Sequence, residues 1–270
     1  MNTINIKLYD FDKLKRFHPK TTALGTESKL YIYEHNKKSR ILKEFKKMNY
    51  NKLLTINLIN YYKNDINIPE LVLESDIAII NNIPVGTITD YIEGNILSNI
   101  IYDKKIPISY KIDLLKQVGS ILNRMKTVRE KGITDFYIGD LHDDNIIVTP
   151  NNTIKILDMD SSKIMYNKPF PSKYLTRYAR RMKYNNYLIT PNKYTDNYCY
   201  NMMILNALFS KDISKLKIND FYKHIDYLNR IGINSSLIDN FESMYSSNIS
   251  TKNLCNEIDD LKKYEKIIIP

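Results

Sequence analysis

The chain has 270 residues, 43% hydrophobic and 26% charged, enough to bury a sizeable core as one large domain or two lobes and too apolar for a disordered chain. No apolar run approaches bilayer-spanning length, Met1 to Asp10 lacks the apolar core of a signal peptide, and Cys199 and Cys255 are too few and too scattered for a disulfide framework or a zinc site, so a cytoplasmic protein with reduced, packing cysteines is expected. The formal charge of +10 permits attraction to nucleic acid, acidic proteins or anionic surfaces, but the lysines are spread along the chain and indicate no specific nucleic-acid segment.

In chain order, Met1 to Lys20 is basic and weakly patterned, and no element is assigned to it. Leu24-Gly25-Thr26-Glu27-Ser28, followed by the alternating Leu30-Tyr31-Ile32-Tyr33, reads as a turn between two strands, and Ser39 to Phe45 reads as a third. Asn51 to Asn64 carries Leu54, Leu58 and Tyr61 at helical spacing and is expected to pack on this sheet. Ile77 to Ile80 and Val85 to Tyr91 predict two more strands, joined by a turn over Asn81-Asn82-Ile83-Pro84. From Ser109 to Lys131, Ile112, Leu115, Val118, Leu122 and Met125 mark one face of a helix, and Gly132 supplies the stop. Ser161 to Tyr194 has no sustained period and carries a basic cluster, Arg177, Arg180, Arg181 and Lys183. Asp196 opens a nearly all-apolar helix, Tyr198 to Phe209, expected to be buried, and helical patterns continue through Phe221 to Arg230, Leu237 to Tyr245 and Asn253 to Tyr264.

The stretch with chemical character is Gly139 to Asp160, GDLHDDNIIVTPNNTIKILDMD. Its apolar runs Ile146 to Val148 and Ile154 to Leu157 flank a turn-rich Thr149-Pro150-Asn151-Asn152-Thr153, the pattern of a β-hairpin. Antiparallel strands about 5 Å apart would bring Asn145, just before the first, beside Asp158, just after the second. An amide oxygen and a carboxylate are hard donors suited to Mg²⁺, whose remaining positions are usually filled by water and phosphate oxygens. Asp140, on the loop entering the hairpin, would then be placed to receive a proton from a hydroxyl held beside a metal-bound phosphate.

Asp140-Leu141-His142-Asp143-Asp144-Asn145 resembles the catalytic loop of protein kinases, and Ile156-Leu157-Asp158-Met159-Asp160 resembles the metal-binding segment that follows it, at matching separation. The Gly-Asp-Leu-His version is also similar to the aminoglycoside phosphotransferase branch of the same kinase-like fold. The resemblance implies ATP-dependent phosphoryl transfer in which Asp158 and Asn145 hold Mg²⁺, Asp140 orients and deprotonates the acceptor hydroxyl, and His142 contacts the transferring phosphoryl group. Carried back along the chain, it makes Gly25 part of a loop covering the nucleotide, Lys43 of Arg40-Ile41-Leu42-Lys43 the strand lysine on the α- and β-phosphates, and Thr89 to Gly94, with Asp90 and Ile92, the hinge whose backbone binds adenine. Asp196 resembles the buried anchor of the catalytic-loop backbone. Two departures stand out: no acidic residue lies between Lys46 and Asp65, where protein kinases carry a glutamate for the strand lysine, so Asn57 and Asn60 are the nearest polar substitutes, and Asp160 stands in place of a glycine, adding a carboxylate near the metal.

The expectation is therefore an α+β, bilobal protein-kinase-like fold, of a bacterial or viral type, with a small antiparallel-sheet lobe and one main helix over residues 1–92 and a larger, mainly helical lobe over 93–270. Its expected activity is Mg²⁺- and ATP-dependent transfer to a hydroxyl, foremost of a protein serine or threonine. The alternatives are a small-molecule hydroxyl kinase of the aminoglycoside phosphotransferase type and a pseudokinase scaffold that binds nucleotide. Ser161, Ser162, Ser172 and Thr176 are candidate phosphorylation positions in trans.

Overall fold

A computed structural model describes residues 2–5, 14–17, 28–35, 38–47, 50–74, 76–165, 178, 192–245 and 251–264. The expectations placed on Gly25, Ser172, Thr176, Arg177, Arg180, Arg181 and Lys183 lie outside these residues. The architecture is α+β. Six strands form the larger sheet: β1 (Asn2–Asn5), β2 (Lys15–Phe17), β3 (Ser28–His35), β4 (Lys38–Phe45), β5 (Asp76–Ile80) and β6 (Ile83–Asp90), in the order β1-β5-β6-β4-β3-β2. Neighbours are antiparallel except β1, which lies parallel to β5. The weakly patterned N-terminal segment thus adds a parallel edge strand that the antiparallel expectation lacked.

Alternation places Leu42, Ala78, Ile80 and Ile88 together as a small core on this sheet, with Tyr31 and Val85 against it. The β5–β6 turn is tighter than expected. Asn81 and Asn82 both adopt left-handed backbone (φ 50° and 64°), which asparagine tolerates, so two residues make the hairpin and Ile83 and Pro84 belong to β6.

Helix α1 (Tyr50–Ile66) follows β4. Its buried face is Leu53, Thr55, Ile56, Ile59 and Ile66, whereas Leu54 and Tyr61, expected to face the sheet, are 54% and 77% exposed. The helix carries leucine, isoleucine or tyrosine on every side, so residue spacing could not fix its phase; packing did. After α1 the chain runs back along the second sheet: Val72 N–H donates to Ile156 O at 2.8 Å, and Ile156 N–H donates to Glu70 O at 2.8 Å.

The second sheet is three-stranded, with β8 (Ile146–Val148) between β7 (Asn95–Ile96) and β9 (Ile154–Ile156). Around it packs a mainly helical assembly: α2 (Leu97–Ile101), α3 (Ile108–Glu130), α4 (Thr195–Phe209), α5 (Ile218–Arg230) and α6 (Ser235–Ser243). The inward face of α3 is the predicted one, with Ile112, Leu115, Val118, Leu122 and Met125 all buried, and Gly132 leaves the helix at φ 70°. All of α4 except Asn197 is buried. Instead of an α-helix over 253–264, the C-terminal described residues form a turn and a 3₁₀ run, Ile258–Tyr264. Asn253 explains the change: its amide donates to Gly119 O at 2.7 Å and its oxygen accepts from Cys255 N at 2.9 Å, holding the chain in a local turn. Cys199 and Cys255 are buried and neither is in a disulfide. Among the described residues no helix is long and apolar enough to cross a membrane.

Candidate active site

The hairpin forms with Ile146 opposite Ile156 and Val148 opposite Ile154. One further rung, Leu157 N–H to Asn145 O at 2.8 Å, sets Asn145 beside the residue that precedes Asp158. Asp158 then turns the chain out of the strand through left-handed backbone (φ 65°, ψ 61°), a conformation that aspartate tolerates better than most side chains.

The loop before the hairpin is held from several directions. Asp196, in the first turn of α4 and only 5% exposed, accepts Ile138 N–H at 2.8 Å and Gly139 N–H at 2.9 Å. Burial raises the Asp196 pKa, and the two backbone donors oppose that rise. Beyond Gly139, which has φ 79°, Asn145 Nδ2 donates to Asp140 O at 3.2 Å, which leaves the Asn145 side-chain oxygen as its acceptor. His142 Nδ1 accepts Asp144 N–H at 3.2 Å and caps the 3₁₀ turn Asp143–Asn145. With Nδ1 accepting, the neutral ring carries its proton on Nε2. Asp143 is fully buried and takes the Tyr178 hydroxyl at 2.6 Å, tying the segment after the hairpin to this loop.

Lys43 reaches this region from β4. Its ammonium donates to Asp158 Oδ1 at 2.5 Å and to Asp160 Oδ2 at 2.8 Å. Its backbone is backed by β6 at Gly86, where an added Cβ would fall 2.0 Å from Lys43 O, so only glycine lets the two strands approach this closely. Asp160, 1% exposed at its side chain, also accepts Lys52 Nζ from α1 at 3.2 and 3.3 Å. Glu74, 2% exposed, lies within electrostatic reach of Lys43, Asp158 and Asp160, and its buried Oε2 has no hydrogen-bond partner among the described residues.

The charges sort these groups. Burial alone would lower the Lys43 ammonium, but Asp158, Asp160 and Glu74 together hold it well above the ordinary lysine value. Burial likewise opposes ionisation of Asp160, and the two lysines overcome it, holding Asp160 well below the carboxylate range. Asp158 is raised by burial, then by Asp160 and, more weakly, Asp140, against the pull of Lys43. Burial pushes Glu74 up to about 8, with Lys43 opposing. With Glu74 holding its proton below about pH 8, Asp140, Asp158 and Asp160 still outnumber Lys43 and Lys52, and Asp158 keeps 35% of its side chain exposed. An acid-rich site whose open edge offers a carboxylate and an amide oxygen fits Mg²⁺.

The structure therefore brings Lys43, Asp140, Asn145 and Asp158 into one region, with His142 on the same loop. Asp90 is exposed and its carboxylate accepts from Arg40 Nε at 3.2 Å, and Ile92 is half-buried. Of the asparagines expected to substitute for a helix glutamate, Asn57 is exposed, and Asn60 gives its Nδ2 to Glu74 O at 2.5 Å and Ile56 O at 3.0 Å. Asp160 is not open toward a metal; both of its oxygens are taken by ammonium groups. Lys52 and Glu74 escaped the sequence reading. An acid closing the apolar run Leu71-Val72-Leu73 was the available signal for Glu74, and a base near the start of a helix with no acid before Asp65 the signal for Lys52. No protein-family model matches the chain, and no curated protein matches it.

Proposed function

We propose that the protein is a Mg²⁺- and ATP-dependent phosphotransferase with a bilobal, protein-kinase-like architecture, acting on a hydroxyl, foremost a serine or threonine of a protein. The observation that carries this reading is the contact of Lys43 with Asp158, a strand cation and a hairpin carboxylate 115 residues apart in sequence that meet at 2.5 Å beside Asn145. The sheet bearing Lys43 belongs to the nucleotide lobe, and the hairpin with the helices around it belongs to the catalytic lobe.

In this reading Asp158 and the Asn145 side-chain oxygen hold Mg²⁺, which supplies charge neutralisation and orientation of the phosphates. Lys43 exchanges Asp158 for α- and β-phosphate oxygens. Asp140 orients the acceptor hydroxyl and takes its proton as the new O–P bond forms and the bond to the β-phosphate oxygen breaks. His142 offers Nε2–H to a phosphoryl oxygen. Adenine lies where β6 ends, and because Tyr91 N–H is already given to Ser39 O at 3.3 Å, the backbone of Ile92 and its neighbours reads it. Asp196 contributes by keeping the Asp140 loop in one conformation, so that positioning and electrostatics carry most of the catalysis.

A protein acceptor is favoured by what stands between Gly94 and Asp140: β7, the five-residue α2 and α3, with no inserted helices to wall off a small substrate. Ser161 and Ser162 are themselves 8% and 0% exposed, so the expectation that they accept phosphate in trans is withdrawn on steric grounds. The scaffold reading is favoured by one feature, the pairing of Lys43 with Asp158, which nucleotide phosphates must displace. Calorimetry with Mg²⁺-ATP tests the assignment. Asp158→Ala is expected to abolish the Mg²⁺-dependent part of ATP binding while the fold survives, and equal affinity of mutant and parent would sink it.

A further inference from the structure

We propose that Asp160 and Lys52 are positioning residues for Lys43: the Asp160 carboxylate clamps the strand ammonium to an ammonium carried by α1, a charge-inverted arrangement that does the work of a helix glutamate. The role toward nucleotide rests on the phosphotransferase reading; the three-residue clamp itself does not.

The geometry separates the two hairpin aspartates. Asp158 keeps 35% of its side chain exposed and takes one bond from Lys43, whereas Asp160 keeps 1% and is bonded to Lys43 at 2.8 Å, to Lys52 at 3.2 and 3.3 Å and to Ser161 Oγ at 3.2 Å. Asp160 sits in a short 3₁₀ turn, Met159–Ser161, closed by Ser162 N–H to Met159 O at 3.1 Å, so its carboxylate is fixed by backbone as well as by partners. Both lysine side chains are 14% exposed. Two ammonium groups packed this closely around one sealed carboxylate repel each other unless that carboxylate is ionised, and a buried charge persists only when paired. Because α1 carries no acidic residue before Asp65 in its last turn, it is joined to Lys43 through Lys52 and Asp160. When a nucleotide and its metal draw Asp158 away, Asp160 still aims Lys43, and Lys52 keeps α1 docked on the turn that carries Asp160.

The test is a double-mutant cycle of Asp160→Asn and Lys52→Met, read in thermal unfolding of the protein without nucleotide and in Mg²⁺-ATP affinity. Asp160→Asn leaves the two ammonium groups facing an amide and is expected to lower the melting temperature and weaken Mg²⁺-ATP binding by about tenfold or more. Adding Lys52→Met to it removes the repulsion and recovers part of both losses, so the double variant is better than Asp160→Asn alone. If Asp160 were a metal ligand, or merely structural, the second substitution would bring no recovery, and effects that simply multiply overturn the proposal. Should Asp160→Asn fail to fold, Lys52→Met alone decides: the ATP KM is expected to rise several-fold with kcat within about twofold, Lys52→Arg is expected to restore it, and an unchanged KM overturns the clamp. If no variant and not the parent binds ATP, the phosphotransferase reading fails, and the unfolding cycle still passes or fails the clamp.

Discussion

Glu74 gives the account a quantitative handle. It is 2% exposed, its Oε2 has no hydrogen-bond partner among the described residues, and burial pushes its pKa from an ordinary 4.5 to about 8. Between those values the folded protein keeps a proton that the unfolded chain has released, so stability falls as the pH rises from about 4.5 and the loss is complete above about 8. A difference of about 3.5 units corresponds to at most about 5 kcal/mol, and roughly half that once relaxation and water penetration are allowed for. Glu74→Gln keeps shape and polarity but cannot ionise, so its urea-unfolding free energy is expected to lack this slope and to exceed that of the parent by about 2 kcal/mol at pH 8. Asp196 is raised in the same sense but owes nothing to Glu74 and drops out of the difference, whereas Asp158 repels an ionised Glu74 and so titrates with it as part of the same slope. Buried Lys111, lowered to about 8, adds stability only as the pH climbs from there toward 10.5, outside the Glu74 window. Parallel stability curves for parent and variant from pH 5 to 8 would refute the reasoning.

Asp196→Ala strands the buried N–H groups of Ile138 and Gly139, at about 1–3 kcal/mol each, and frees the Asp140 loop; chemical denaturation is expected to show a loss of about 2–5 kcal/mol, with turnover falling further than ATP affinity. Gly86→Ala sets a methyl 2.0 Å from Lys43 O unless β4 moves, so ATP affinity should fall while the far-UV spectrum keeps its shape; a wild-type affinity would mean that β4 shifts without displacing Lys43.

How much could be read in advance follows from how local each cause is. The β8–β9 hairpin was legible because its turn residues and apolar runs are contiguous, and α3 because one periodic face and one glycine define it. Asp196 was legible through its motif context, and the structure gives it the backbone donors that the resemblance implies. The phase of α1 was not: Leu53, Ile56 and Ile59 are as apolar as Leu54, Leu58 and Tyr61, and only the opposing surface selects between them. Pairing of β1 with β5, more than seventy residues away, left no pattern in either segment. The same holds for Lys52 and Glu74, whose importance arises from side chains more than eighty residues distant, Asp160 and Asp158.

The central claim is transfer of a phosphoryl group by the set Lys43, Asp140, Asn145 and Asp158. Its most direct test is incubation of the pure protein with Mg²⁺ and γ-labelled ATP, with label followed into the protein itself, added proteins and inorganic phosphate, beside Asp140→Asn. The account predicts Mg²⁺-dependent label on a serine or threonine hydroxyl, reduced about 10²-fold or more by Asp140→Asn at nearly unchanged ATP affinity. A parent that binds Mg²⁺-ATP yet transfers no label to any acceptor, or an Asp140→Asn variant as active as the parent, would contradict it.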